Sequence, residues 1–155
     1  CLCDALANIK SINLNHIEDR RKKLAINNIR RREKLMELAK NGDSSPMSPL
    51  FASWCINQVF GPEATYVSEL ALNPAVMNID RASQYFSHPM SAGLGWGVPT
   101  GLGIQLADRN QSVVACVGDG SHLFSNPAAC HQAAEALNLP LLTCVPDAPL
   151  SLRGD

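Results

Sequence analysis

Residues 113–121 read VVACVGDGS, and the fold class that we expect for the chain follows from them. Its first five residues form an unbroken apolar run, which is typical of a strand buried on both faces of a parallel sheet. We expect a strand over 111–117 and a turn over 118–121. A helix over 126–138 follows, opened by an asparagine and a proline that suit a helix start. A second buried strand is expected over 140–145.

The chain upstream alternates between helical and extended patterns in the same way. We expect a helix over 49–60, a short strand over 64–70 and a glycine-rich segment over 91–107 that continues as a helix, whereas 73–90 looks irregular. Strands that alternate with helices are typical of a parallel sheet covered by helices. The predicted fold class is therefore α/β: a parallel sheet with flanking helices, preceded by a charged helix.

That charged helix is predicted over residues 16–40, where helix formers dominate and neither proline nor glycine interrupts. Its apolar stripe is narrow and consists of Ile17, Leu24, Leu35 and Leu38. The first forty residues carry ten of the thirteen lysines and arginines but also five acids. A basic patch for nucleic acid or an anionic membrane is the alternative interpretation. The interleaved acids and narrow stripe favour a solvated surface helix.

The break at Gly42 and Pro46 suggests three segments. We expect a charged helical linker over 1–45, the α/β domain over 46–145 and an atypical tail over 146–155. The length of 155 residues and the hydrophobic content of 46% suit one domain with a packed core.

Composition also bears on the compartment and on partners. There is no run of eighteen apolar residues, so no membrane span is expected, and no signal-peptide pattern is visible. The six cysteines are scattered, which favours free buried thiols over a disulfide framework. We therefore expect a cytoplasmic protein, or an organellar one in the parent protein. Neither nucleic acid nor a membrane is expected as a partner.

The turn after the central strand carries the candidate chemistry. Asp119 stands between Gly118 and Gly120, where its carboxylate would project from the carboxyl end of the strand, the edge at which α/β sheets bind ligands. Gly120 and Ser121 offer backbone N–H groups, and Ser121 adds a hydroxyl. A carboxylate beside such donors suits a diphosphate held through Mg²⁺. An ordinary turn is the alternative, which the surrounding strand–helix–strand pattern makes less favoured.

The chain resembles a known family over roughly residues 20–145. A Gly-x-Gly-rich helix start, the GDGS motif and a strand at the right distance look like the diphosphate-binding domain of thiamine-diphosphate enzymes. The likeness is closest to the acetolactate-synthase-like branch, which includes pyruvate oxidases and benzoylformate decarboxylase. The resemblance implies thiamine diphosphate and Mg²⁺ as cofactors and an enzyme that acts on 2-oxo acids by decarboxylation or carboligation.

The resemblance also assigns roles to individual residues. Asp119 matches the family's Mg²⁺ ligand, and the surrounding Gly118, Gly120 and Ser121 match its diphosphate-binding turn. Leu94, preceded by Gly93, falls where the family carries a large apolar residue that wedges between the two rings of the cofactor.

Two further matches to the family are weaker, because one has an alternative interpretation and the other departs from the family's residue. Ser68-Glu69 matches a loop on the diphosphate side of the cofactor, with a solvated glutamate as the alternative. Asp147 falls where the family has an asparagine that ligates Mg²⁺. An aspartate oxygen can still bind the metal, but it adds a negative charge beside the diphosphate.

No catalytic residue is assigned within the chain. The family's activating glutamate lies in a separate domain, normally of a partner subunit, so the chain alone is not expected to catalyse. The parent protein is expected to be a homodimer or a homotetramer. A truncated, non-catalytic chain that only binds a partner subunit is the alternative. A Rossmann dinucleotide binder is less favoured, because residues 93–97 lack the G-x-G-x-x-G spacing.

Overall fold

The computed structural model describes residues 1–8, 14–43, 45–87 and 93–146. The chain divides into two compact units, Cys1–Lys34 and Leu35–Asp155.

The first unit is helical. Helix α1 spans Leu2–Ala7, and helix α2 spans Leu14–Lys40, so its last residues belong to the second unit. The predicted helix over 16–40 is confirmed and begins two residues earlier. Leu24 in its apolar stripe is 62% exposed, as expected of a surface helix. No helix in the described part of the chain has the length and apolar character needed to cross a membrane.

The second unit is an α/β sheet with helices on both faces. Its helices are α3 (Pro49–Phe60), α4 (Gly97–Ala107), α5 (Asp119–Phe124) and α6 (Pro127–Leu137). Its strands are β1 (Thr65–Glu69), β2 (Tyr85–Ser87), β3 (Val113–Val117) and β4 (Leu142–Cys144). The sheet order is β2-β1-β3-β4, and every neighbouring pair is parallel. The predicted parallel α/β fold is confirmed.

The two central strands pack against helices on both sides. Tyr66 of β1 and Cys116 of β3 belong to a core cluster that α3 covers with Ile56 and Phe60. Val117, at the other face, packs with residues of α4 and α6. Successive side chains of a strand point to opposite faces, so a strand between two helical layers must be apolar throughout. This explains the unbroken VVACV run.

Strand β2 corrects the expectation that 73–90 is irregular. The structure has a short 3-10 helix over Pro74–Val76 and a strand over Tyr85–Ser87, parallel to β1 at one edge of the sheet. The strand has three residues, of which Tyr85 and Phe86 are half-buried and Ser87 is exposed. Three residues at a sheet edge are too few to produce a recognisable alternation.

The expected turn over 118–121 is also wrong. Gly118 is the N-cap of α5, and its carbonyl accepts a hydrogen bond from the His122 N–H at 2.8 Å. The chain thus passes directly from β3 into a helical turn. Glycine and serine have low helix propensity, so the local sequence favoured a turn, whereas the start of a helix after a strand is set by the tertiary fold.

The thiols of β3 and β4 pair across the sheet. Cys116 and Cys144 are partners in the strand register, Cys116 is buried, and Cys144 is half-buried. A hydrogen bond to Cys144 and burial raise the pKa of the Cys116 thiol, which therefore stays protonated at neutral pH. Cys116 thus agrees with the expectation of buried free thiols, whereas that expectation is wrong for Cys1 and Cys3, which are exposed.

The start of α4 lies very close to the sheet. A Cβ on Gly97 would stand 2.6 Å from Val117 Cγ1 and 2.9 Å from Glu69 Oε2. Gly103, on the same helix, has no atom within 4 Å of the corresponding position. The two glycines therefore differ sharply in the space that a methyl group would find.

We predict opposite effects for a methyl group at these two sites. Gly97→Ala should lower the free energy of unfolding by roughly 1–3 kcal/mol, because the helix must move off the sheet. Gly103→Ala should raise it by roughly 0.5–1 kcal/mol, because alanine is the better helix former. Urea unfolding followed by circular dichroism measures both. Equal effects of the two substitutions would contradict the close packing at Gly97.

Candidate functional site

The order of the strands creates a cleft between β1 and β3. The chain places β2 on one side of β1 and then crosses to the other side to form β3 and β4. At such a switch point the loops after the two strands separate, and α/β proteins bind ligands there. A cavity of about 720 Å³ lies at this edge. Its lining is Ser45, Pro46, Met47, Pro49, Ala52, Glu69, Leu70, Ala71, Leu94, Gly118, Asp119, Gly120, Ser121 and Pro146.

Strand β1 ends at the cavity with a buried carboxylate. Glu69 is fully buried, and its two oxygens accept hydrogen bonds from the backbone N–H groups of Gly95 at 2.5 Å and Gly97 at 2.7 Å. The solvated alternative for this residue is therefore wrong. Leu70 follows with φ of 65°, a left-handed conformation that is uncommon for leucine and turns the chain away from the strand direction.

Strand β3 leads into the second wall of the cavity. Gly118, Asp119, Gly120 and Ser121 all line it. Asp119 is exposed, and its Oδ1 accepts a hydrogen bond from the Gly120 N–H at 2.7 Å. This bond fixes the carboxylate at the first turn of α5 and leaves its second oxygen available for a ligand. Ser121 is buried, with 5% of its surface exposed to solvent.

The glycine-rich turn before α4 brings Leu94 into the same cavity. Leu94 is 48% exposed and lines the cavity, whereas Gly93 is exposed and is not part of the lining. Gly95 has φ of 95°, and a Cβ there would stand 2.7 Å from the backbone carbonyl of Phe124. Only glycine adopts this conformation at this distance from a neighbouring backbone. The turn is thus held between α5 and Glu69.

The structure brings together five of the six residues predicted to bind a cofactor, namely Leu94, Gly118, Asp119, Gly120 and Ser121. Residues 70–147 match the family model described as "Thiamine pyrophosphate enzyme, C-terminal TPP binding domain". This match covers half of the chain.

The chain belongs to the thiamine pyrophosphate enzymes. Thiamine pyrophosphate is another name for thiamine diphosphate, so the predicted family and its cofactor are confirmed at this level. Among curated proteins, none matches the chain significantly.

The second predicted metal ligand of this thiamine pyrophosphate domain, Asp147, lies outside the described residues. His122 does not line the cavity but lies beside His131, with 6.2 Å between ring centroids. Across the described ranges, no three histidine, cysteine or acidic side chains cluster as a metal site. Asp119 is thus the predicted metal ligand that the structure places at the cavity.

Sequence reasoning missed one wall of the cavity. Ser45, Pro46 and Met47, which precede α3, line it together with Pro49 and Ala52 of that helix. The sequence predicts a linker up to residue 45 and a helix over 49–60, and assigns no part of a site to either. The missed signal is topological: α3 leads into the amino end of β1, so the opposite end of the helix must lie at the carboxyl edge of the sheet.

The cavity has an uneven distribution of charge and polarity. Among the described residues that line it, Glu69 and Asp119 are acidic, and none is lysine, arginine or histidine. Pro46, Met47 and Ala71 contribute to an apolar side. An anionic ligand would therefore meet the exposed carboxylate of Asp119, with the carboxylate of Glu69 buried behind the glycine turn, and no basic side chain to offset them.

Proposed function

We propose that the chain is part of an enzyme that depends on thiamine diphosphate and Mg²⁺ and acts on 2-oxo acids, and that its cavity holds the cofactor's diphosphate. The placement of five predicted cofactor residues around one cavity is the observation that carries this proposal. The cavity of about 720 Å³ also has a suitable size, since small-molecule pockets typically measure roughly 300–1,000 Å³.

The charge of the cavity supports a requirement for the metal. A diphosphate is strongly anionic, and the described lining offers it the exposed carboxylate of Asp119 and no basic side chain. Direct binding would be repulsive, particularly in a partly buried site of low dielectric constant. Asp119 would hold a divalent cation, for which carboxylate oxygens are usual ligands, and the cation would supply the positive charge that offsets this repulsion. The residues present therefore fit a diphosphate that arrives with Mg²⁺.

Each wall of the cavity has its own task in this proposal. Asp119 holds the metal, and the backbone around Gly120 and Ser121 contacts the phosphates. Leu94 supports the ring portion of the cofactor, and the apolar side near Met47 excludes water from it. When bound, thiamine diphosphate supplies an electron sink for bond cleavage or formation beside a carbonyl group. The protein contributes binding, orientation and a site shielded from water.

The finer assignment rests on the motifs. The Gly-x-Gly-rich start of α4 and the GDGS sequence support the acetolactate-synthase-like branch, and with it decarboxylation or carboligation of a 2-oxo acid. In that branch the activating glutamate comes from another domain, so we propose that the active form is a homodimer or homotetramer. A cytoplasmic location remains part of the same proposal.

Calorimetric titration with thiamine diphosphate tests the metal requirement. The chain should bind the cofactor in the presence of MgCl₂ and not in EDTA. Asp119→Asn should weaken binding in MgCl₂ by roughly ten- to a hundredfold, the usual range for disturbed metal sites. Asp108→Asn is the matched control, because Asp108 is exposed and does not line the cavity. Binding that is equally strong in EDTA, or unchanged in the Asp119 variant, would contradict the proposed role of the metal.

A pair of leucine variants tests the ring contact. Leu94 and Leu106 are both 48% exposed, but only Leu94 lines the cavity. Leu94→Ala should weaken thiamine diphosphate binding roughly tenfold, because the apolar surface buried against the rings is lost. Leu106→Ala should leave the affinity unchanged. The assignment of Leu94 would be wrong if both variants bound the cofactor as the parent chain does.

A further inference from the structure

Glu69 makes an unusual pair of contacts for a buried acid. It is fully buried, and each carboxylate oxygen accepts one backbone N–H bond, Oε1 from Gly95 and Oε2 from Gly97. These partners lie 26 and 28 residues away in the chain. In the described part of the molecule, no lysine, arginine or histidine forms an ion pair with it. A fully buried acid that is hydrogen-bonded to backbone amides and to no basic side chain is uncommon in a protein interior, which points to a task at the site.

The surroundings of the turn are built for this contact. A Cβ on Gly97 would come within 2.9 Å of Glu69 Oε2, and a Cβ on Gly95 would collide with the Phe124 backbone. Both glycines therefore allow the backbone to approach the carboxylate and α5 at the same time. Leu94, the cavity residue of this turn, directly precedes the first of the two bonded amides.

We propose that Glu69 is a positioning residue, which holds the Gly95–Gly97 backbone and thereby sets where Leu94 stands in the cavity. The inference rests on the proposed function, since it gives Leu94 a cofactor to support. Glu69 acts through the turn and not on the reacting atoms. Because alternate residues of a strand point to the same face, Glu69 lies with Val67 on the face of the sheet that α4 covers, next to the turn before that helix.

Glu69→Gln is the sharpest substitution for this proposal. The amide keeps the size of the side chain but has only one acceptor oxygen, and its NH₂ group would face a second N–H donor. One of the two bonds is lost, and the turn must shift. We expect the affinity for thiamine diphosphate in MgCl₂ to fall roughly tenfold.

Gln84→Ala is a control for stability alone. Gln84 is 1% exposed, and its Oε1 likewise accepts two backbone N–H bonds, from Asp80 at 3.0 Å and Arg81 at 3.1 Å. It does not line the cavity. This variant should also lose stability, but it should bind the cofactor as the parent chain does. The proposal would be overturned if both Glu69→Gln and Gln84→Ala lowered the affinity for the cofactor in proportion to their loss of stability.

A readout without ligand separates this inference from the proposed function. In the parent chain, amide hydrogen exchange at Gly95 and Gly97 should be slow, and Glu69→Gln should speed it up selectively at this turn. Trp96 lies between them, so its fluorescence, measured in a Trp54→Phe background that leaves one tryptophan, should shift as well. Fast exchange at both glycines of the parent chain would overturn the proposal even if the variant fails to fold.

A double-mutant cycle tests whether Glu69 acts through Leu94. In the Leu94→Ala background, Glu69→Gln should change the affinity by less than about twofold, because the side chain to be positioned is absent. An undiminished effect would show that Glu69 acts by another route. If the parent chain bound no thiamine diphosphate, the proposed function would fail, while the exchange and fluorescence data would still decide whether Glu69 holds the turn.

Discussion

The burial of β1 and β3 on both faces is the constraint on which the second unit depends. Every residue of both strands is buried, so each side chain must find a helix on one side of the sheet or the other. Helix α3 covers one face, and α4 with α6 covers the other. With both faces occupied, the carboxyl ends of the strands are where the chain presents polar groups to a ligand.

The same alternation that packs the core also builds the site. Val67 and Glu69 point to the face covered by α4, and the last position of β1 is where that face reaches the start of the helix. Val67 packs in the hydrophobic core on this face, whereas the carboxylate of Glu69, at the end of the strand, accepts hydrogen bonds from backbone amides. On β3 the apolar run ends at Val117, and the polar residues of α5 begin directly after it. The strands that form the core therefore also place the polar residues that line the cavity at their carboxyl ends.

Much of this was predictable from the sequence, and the failures have physical causes. The sequence predicts the strand ending at Val117 from its unbroken apolar run, and helix α6 from the asparagine and proline at its start. Strand β2 is not predicted, because a strand of three residues, two half-buried and one exposed, is too short to show an alternation. The first turn of α5 was missed because its glycines favour a turn locally. The burial of Glu69 depends on amides more than twenty residues away, which no local pattern reports.

The family match and the sheet have different boundaries. The match begins at residue 70, whereas β1 ends at Glu69, and α3 lies further upstream. In the described sheet, β2 is hydrogen-bonded to β1 alone. A fragment cut at the start of the match would contain β2 and β3 without the strand that joins them. It would also lack Glu69, whose carboxylate holds the glycine turn, and the cavity wall formed by Ser45, Pro46 and Met47. The smallest piece that can fold as this sheet is therefore longer than the piece by which the family is recognised.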